Sequence, residues 1–138
     1  MSRWRCPACD REFGRAHQSH VCVPGNSVAE TFAGRPGVQR EIYDVIAAHL
    51  RALGPLHEDS VKVGVFLLSD RKLAEVRPMA RGLSLLLILP YAVAGPRVRR
   101  SERLAEGRLM HYIRLPQLSD VDDELLGWLT DAYDLATS

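Results

Sequence analysis

The sequence predicts an α+β fold: a small N-terminal zinc finger, then a helix, an antiparallel sheet of three or four strands, and a second helix. Three observations predict it. Residues 3–22 are dense in Cys and His and poor in bulky apolar side chains. Residues 36–53 and 120–136 repeat apolar residues at helical spacing. Between them, residues 61–115 form short apolar or alternating runs broken by turn residues. The 138 residues are 46% hydrophobic and 25% charged. That suits one ordinary domain with an appendage, and it excludes a disordered, collagenous or coiled-coil chain.

The first segment carries Cys6-Pro-Ala-Cys9, then His17, His20 and Cys22. Structural zinc takes four N or S ligands in a tetrahedron, and two thiolates at CxxC spacing reach one ion from a tight turn. Two sets fit. Cys6, Cys9, His20 and Cys22 make a Cys3His site; Cys6, Cys9, His17 and His20 make a Cys2His2 site. The Cys3His set is favoured, because a third thiol two residues from His20 is hard to explain as a bystander. Only Trp4, Phe13 and Val21 are bulky and apolar here, so a segment this short needs the metal in order to fold. A thioredoxin-like redox site would need a βαβ context, which is missing. The expected cofactor is therefore one structural Zn2+ per chain, with no catalytic part.

Val23-Pro-Gly-Asn26 reads as a linker. It divides a finger at 1–24 from an α+β domain at 27–138, and the two are expected to fold separately. Residues 1–24 hold no apolar run of the kind a secretion signal needs. The longest apolar stretch, residues 83–95, is broken by Ser84 and Pro90 and falls short of the roughly 18 residues of a membrane span. Three cysteines without an export signal point to reduced thiols in a cytoplasm.

Within the second unit, residues 27–33 suit a short helix. A longer helix over 36–53 starts near Pro36 and stops at Gly54-Pro55, with Val38, Ile42, Val45, Ile46, Leu50 and Leu53 on its buried face. Residues 61–68 read as one alternating strand, 71–78 as a second, and 83–89 as a third after an Arg81-Gly82 turn. Residues 94–107 read as irregular, and 109–115 as a fourth strand with Met110, Tyr112 and Arg114 on one face and His111 and Ile113 on the other. The last helix, 120–136, has Ser119 as its expected N-cap and acidic residues in its first turn. Its expected buried face is Val121, Leu125, Trp128, Leu129, Ala132 and Tyr133.

A net charge of +1 hides a segregation. Residues 71–114 hold ten Lys and Arg against three Glu, whereas residues 115–138 hold six acids and no Lys or Arg. Nine of the ten cations are Arg, which suits bidentate contacts to phosphate or carboxylate. With helices on one face of the sheet, the other face would carry many of these Arg side chains.

Several motifs resemble a bacterial family. They are Trp4-Arg-Cys-Pro-Ala-Cys9, Gln18-Ser-His-Val-Cys22, Phe32-Ala-Gly-Arg-Pro36, Leu73-Ala-Glu-Val-Arg-Pro78, Pro96-Arg-Val-Arg-Arg-Ser-Glu102, His111-Tyr-Ile-Arg114 and Asp122-Asp-Glu-Leu-Leu126. The family is domain of unknown function 5655, in its form with an N-terminal finger. The resemblance spans nearly the whole chain and implies zinc on Cys6, Cys9, His20 and Cys22, with His17 as an extra. The chain departs from the family pattern in its more apolar 83–89 strand and in Met79, where a basic residue is common. The resemblance implies a fold and a finger, and no activity.

No GxSxG, P-loop or GxGxxG is present. His57-Glu58-Asp59 falls in an expected loop, and His111 falls mid-strand. Neither specifies a reaction, so an enzyme is the less expected reading. The first reading is a zinc-containing binding module with weak, sequence-tolerant nucleic-acid binding, or a protein partner, through Arg77, Arg97, Arg99, Arg100 and Arg114. The alternative is a small enzyme or anionic-ligand-binding domain with a pocket around His111, Arg77 and Arg114.

Overall fold

The computed structural model describes residues 3–5, 12–14, 27–61 and 63–137. Near the N-terminus, β1 (Trp4–Arg5) pairs antiparallel with β2 (Glu12–Phe13), Trp4 opposite Phe13 and Arg5 opposite Glu12. Cys6, Cys9, His17, His20, Cys22 and the 23–26 linker lie outside the described residues. Arg3 ties the N-terminal segment to the larger unit by donating Nη2 to the Ser69 carbonyl.

Two helices precede the sheet. α1 (Val28–Phe32) is closed by a capping box: the Ser27 hydroxyl accepts from the Glu30 N–H, and the Glu30 carboxylate accepts from the Ser27 N–H. α2 (Gly37–Leu53) follows Pro36 directly and ends at Gly54. Its fully buried stripe is Ile42, Tyr43, Ile46, Ala47 and Leu50, while Val45 and Leu53 are exposed. The expected stripe was rotated by about one position. Tyr43 goes inward because its hydroxyl finds a partner, donating to Glu58 Oε1 at 2.5 Å.

The sheet has six strands, not three or four. β3 (His57–Val61), β4 (Gly64–Leu68), β5 (Lys72–Met79), β6 (Gly82–Leu89), β7 (Val98–Ala105) and β8 (Arg108–Leu115) lie in the order β3-β4-β5-β6-β8-β7, every pair antiparallel. Two corrections explain the count. The expected 61–68 strand is the second half of a hairpin, because Val63 sits in a turn and the alternation runs on across it. The 94–107 stretch read as irregular contains β7, an edge strand solvated on both faces. It therefore has no apolar alternation to betray it. β7 answers the hazard of an open edge with charge, carrying Arg99, Arg100, Glu102 and Arg103.

Register divides the sheet into two faces. On one lie Ala74 and Val76 of β5, Leu83, Leu85 and Leu87 of β6, and Ile113 and Leu115 of β8, all buried. The last helix, α3 (Asp123–Thr137), buries Leu125, Leu129, Ala132, Tyr133 and Ala136, which join this face and the α2 stripe in one core. Burying a Leu or Ile side chain contributes about 1.5–3 kcal/mol, so this core decides which sheet face the helices cover. α3 starts later than expected, because a 3-10 turn occupies Leu118–Asp120. Asp122, rather than Ser119, caps it: its Oδ1 accepts from the Leu125 N–H at 2.9 Å. Among the described residues no helix is long and apolar enough to cross a membrane.

Candidate anion-binding cleft

The opposite sheet face is left open, and three cross-strand rows build it. Arg77, Ser84 and Arg114 lie side by side on β5, β6 and β8. The next row is Glu75, Leu86, Tyr112 and, on β7, Arg100. Ile88 and Met110 follow. The face is concave and encloses a cleft of about 650 Å³ lined by Lys72, Glu75, Arg77, Arg99, Arg100 and Arg114 around Met79, Ser84, Leu86, Met110 and Tyr112.

Two bulges bring cations here that simple alternation would send elsewhere. The β4–β5 register shifts so that Leu68 faces Lys72 while Leu67 faces Ala74, which makes Leu73 the extra residue. Lys72 consequently emerges on the face of Glu75, three residues on, and its Nζ lies 3.1 Å from Glu75 Oε2. On β7, Val98 faces Ile113 and Arg100 faces Tyr112, so Arg99 is extra and both consecutive Arg residues line the cleft.

Among the described residues Glu75 is the one carboxylate in the lining, and its side chain is only 6% exposed. It accepts from Lys72 Nζ and from Arg77 Nε, the latter at 2.7 Å. Arg100 lies 4.2 Å from the Tyr112 ring centroid and pairs with Glu102 at 3.0 Å. Among the described residues, the Arg99 and Arg114 side chains have neither a hydrogen bond nor an ion pair. The cleft therefore has more cation than its own carboxylates compensate, held over an apolar floor.

The five Arg residues singled out from the sequence divide unequally. Arg77, Arg99, Arg100 and Arg114 line the cleft. Arg97 turns to the start of α3 instead, donating to the Asp120 carbonyl at 2.6 Å, Asp122 Oδ1 at 2.9 Å and Glu124 Oε1 at 2.6 Å. It also stacks 5.2 Å from the Trp128 ring centroid. Partial burial disfavours its charge, but Asp122 and Glu124 outweigh that and hold its pKa above the usual arginine value.

His111 is absent from the cleft lining, which corrects the pocket drawn around His111, Arg77 and Arg114. It faces Leu87 on the helix side and is fully buried. Nδ1 lies 2.7 Å from Ser101 Oγ and Nε2 lies 3.0 Å from the Tyr91 carbonyl. Both ring nitrogens thus have partners, as a core imidazole requires. His57, Glu58 and Asp59 are in β3 rather than a loop. Glu58 is a structural acceptor there for Tyr43 and Arg51. Burial, reinforced by Glu58, pushes the Tyr43 hydroxyl well above the usual phenol range.

Sequence reasoning missed Lys72, Glu75, Ser84 and the apolar floor. The bulge at Leu73 hid Lys72, whereas Glu75 shares the face of Arg77 by plain alternation. Ser84, the lone polar residue in an otherwise apolar strand, was the signal available for the rest.

A family model described as Domain of unknown function (DUF5655) matches residues 28–136. The chain belongs to this family. The match covers the sheet, its helices and all of the cleft lining. No curated protein and no solved structure matches the chain. Among the described residues no group of three or more His, Cys, Asp or Glu could hold a metal ion.

Proposed function

We propose that this DUF5655 domain is a binding module for anionic ligands, seated in the cleft of the open sheet face. The observation that carries the reading is the lining: four Arg and one Lys around one concave surface, with Glu75 as its sole carboxylate. Its volume falls in the usual range of small-ligand sites, about 300–1,000 Å³, which favours a compact anion over an extended one. Titrating the full chain with inorganic phosphate, pyrophosphate and short DNA and RNA strands at two salt concentrations tests it. Binding that Arg114→Ala and Arg99→Ala weaken is the expected result. Flat titrations at low salt would remove the reading.

One observation favours a second reading, sequence-tolerant nucleic-acid binding. Arg99 and Arg100 stand side by side on an exposed edge strand, where a phosphate backbone has room to run past the outer wall of the cleft. Such binding would fall steeply with salt, because each neutralised phosphate releases counterions, whereas a single seated anion responds far less.

The N-terminal segment completes the proposal as a separately folding finger holding one structural zinc on Cys6, Cys9, His20 and Cys22. The donor set is the support, together with the antiparallel pairing of Arg5 with Glu12 on either side of the interval that carries Cys6 and Cys9. A reducing cytoplasm would keep those thiols available to the metal. Metal analysis of protein purified without chelator should return one zinc per chain. Cys22→Ser should abolish it and His17→Ala should not. The reverse pair of results would assign the Cys2His2 set.

A further inference from the structure

Resting on the anion-binding reading, we infer that the cleft takes an amphipathic ligand: a phosphate monoester on an apolar or aromatic body, its phosphate over Ser84 and its body along Leu86 and Met110. The inference comes from the order of the rows. Ser84 lies between Arg77 and Arg114 on adjacent strands, so each arginine side chain leaves the sheet about 4.8 Å to one side of Ser84. Arg77 uses Nε for Glu75, which leaves its two Nη groups pointing past that bond, and its side chain is half exposed. Arg114 and Arg99 have no side-chain partner among the described residues, and neither does the Ser84 hydroxyl. Two guanidiniums and one hydroxyl on one row, with Arg99 of the β7 bulge lining the same cleft, suit a dianion that accepts several hydrogen bonds at once.

The rows beyond cannot serve a second anion. One residue pair further along the strands, about 7 Å away, the centre of the cleft is Leu86 beside Tyr112, followed by Met110. Arg100 already covers the Tyr112 ring and pairs with Glu102. Glu75, at the end of the Leu86 row, repels negative charge there. Unpartnered cations thus fall at one end of the cleft, whereas the charges flanking its apolar centre are paired, Lys72 with Glu75 and Arg100 with Glu102. An extended polyanion would lay phosphates across both ends, whereas an amphipathic monoester matches each end with its own chemistry.

Calorimetric titration of the full chain with inorganic phosphate, phenyl phosphate and benzoate tests this. Phenyl phosphate should bind about tenfold or more tightly than inorganic phosphate, since the ring leaves water for an apolar floor. Leu86→Gln and, independently, Met110→Gln should shrink that ratio towards one; two partly exposed positions guard against one variant failing to fold. Arg114→Ala should weaken both phosphates together. Phosphate binding with no gain for phenyl phosphate would overturn the amphipathic inference and leave the anion reading standing. Benzoate binding more tightly than phenyl phosphate would overturn the phosphate head. No binding by any of the three would overturn the inference, and if pyrophosphate and nucleic acid also fail, the anion reading falls with it.

Discussion

Lys72 and Glu75 stand three residues apart on one strand, yet they share a face and lie 3.1 Å apart. A regular strand would send them to opposite faces. The bulge at Leu73 restores the common side while Leu73 itself stays in the core. One backbone irregularity therefore decides that the single acid of the cleft is clamped between two cations, with Arg77 on its other oxygen.

Glu75→Gln should raise the affinity of the cleft for phosphate by about three- to tenfold, because a negative charge near the bound anion is removed. The fold should lose about 1 kcal/mol, the partners being one-third to one-half exposed and screened. Anion titration and thermal melting of the same variant read both effects. Weaker phosphate binding would mean that Glu75 chiefly positions Arg77.

Arg97→Ala should cost about 1–2 kcal/mol, since it severs the start of β7 from the cap of α3 and uncovers Trp128. Phosphate affinity should not change, because Arg97 lies outside the cleft lining. A melting curve and a titration separate this from Arg114→Ala, for which the pattern should invert.

Asp122 should make stability depend on pH in the acid range. The Leu125 N–H and then Arg97 hold its carboxyl below the ordinary value of 3.8. The folded state therefore binds the proton more weakly than the unfolded chain does, and stability rises with pH. The contribution is complete above the unfolded value and is lost as pH falls through the lower, folded one. Asp122→Asn keeps a capping oxygen, so it should flatten this limb, while Asp122→Ala should cost about 1 kcal/mol at neutral pH. Urea midpoints between pH 2 and pH 7 check it.

His111→Ala should destabilise the domain by about 2–3 kcal/mol through a core cavity and the stranded Tyr91 carbonyl. It should leave phosphate binding intact. Loss of binding without loss of stability would return His111 to the ligand site.

The sequence revealed most where burial was one-sided. The 83–89 strand and the Met110, Tyr112, Arg114 alternation were legible, whereas the register that sets Arg77 and Arg114 on one face was not. β7 was not, because a strand solvated on both sides writes no period into its residues. Lys72 was left out of the expected basic set because the bulge at Leu73 inverts the parity from which a face is read. Arg97 looked like its neighbours Arg99 and Arg100, and only the three-dimensional approach of the α3 cap tells them apart. His111 was singled out for its chemistry, although full burial with both nitrogens bonded is the commoner lot of a histidine in a strand.

The charged rim strand also decides which part of this protein is free to vary. Arg77, Ser84 and Arg114 stand on strands whose alternate residues are locked into the core, so a change of backbone there disturbs folding. Arg99 and Arg100 stand on an outermost strand with almost nothing buried behind it. Sequence drift along that strand can exchange the outer wall of the cleft, altering which ligand is preferred, while the phosphate-facing row and the stability of the domain stay as they are. Members of the family should accordingly differ most in ligand choice where they differ in this one strand.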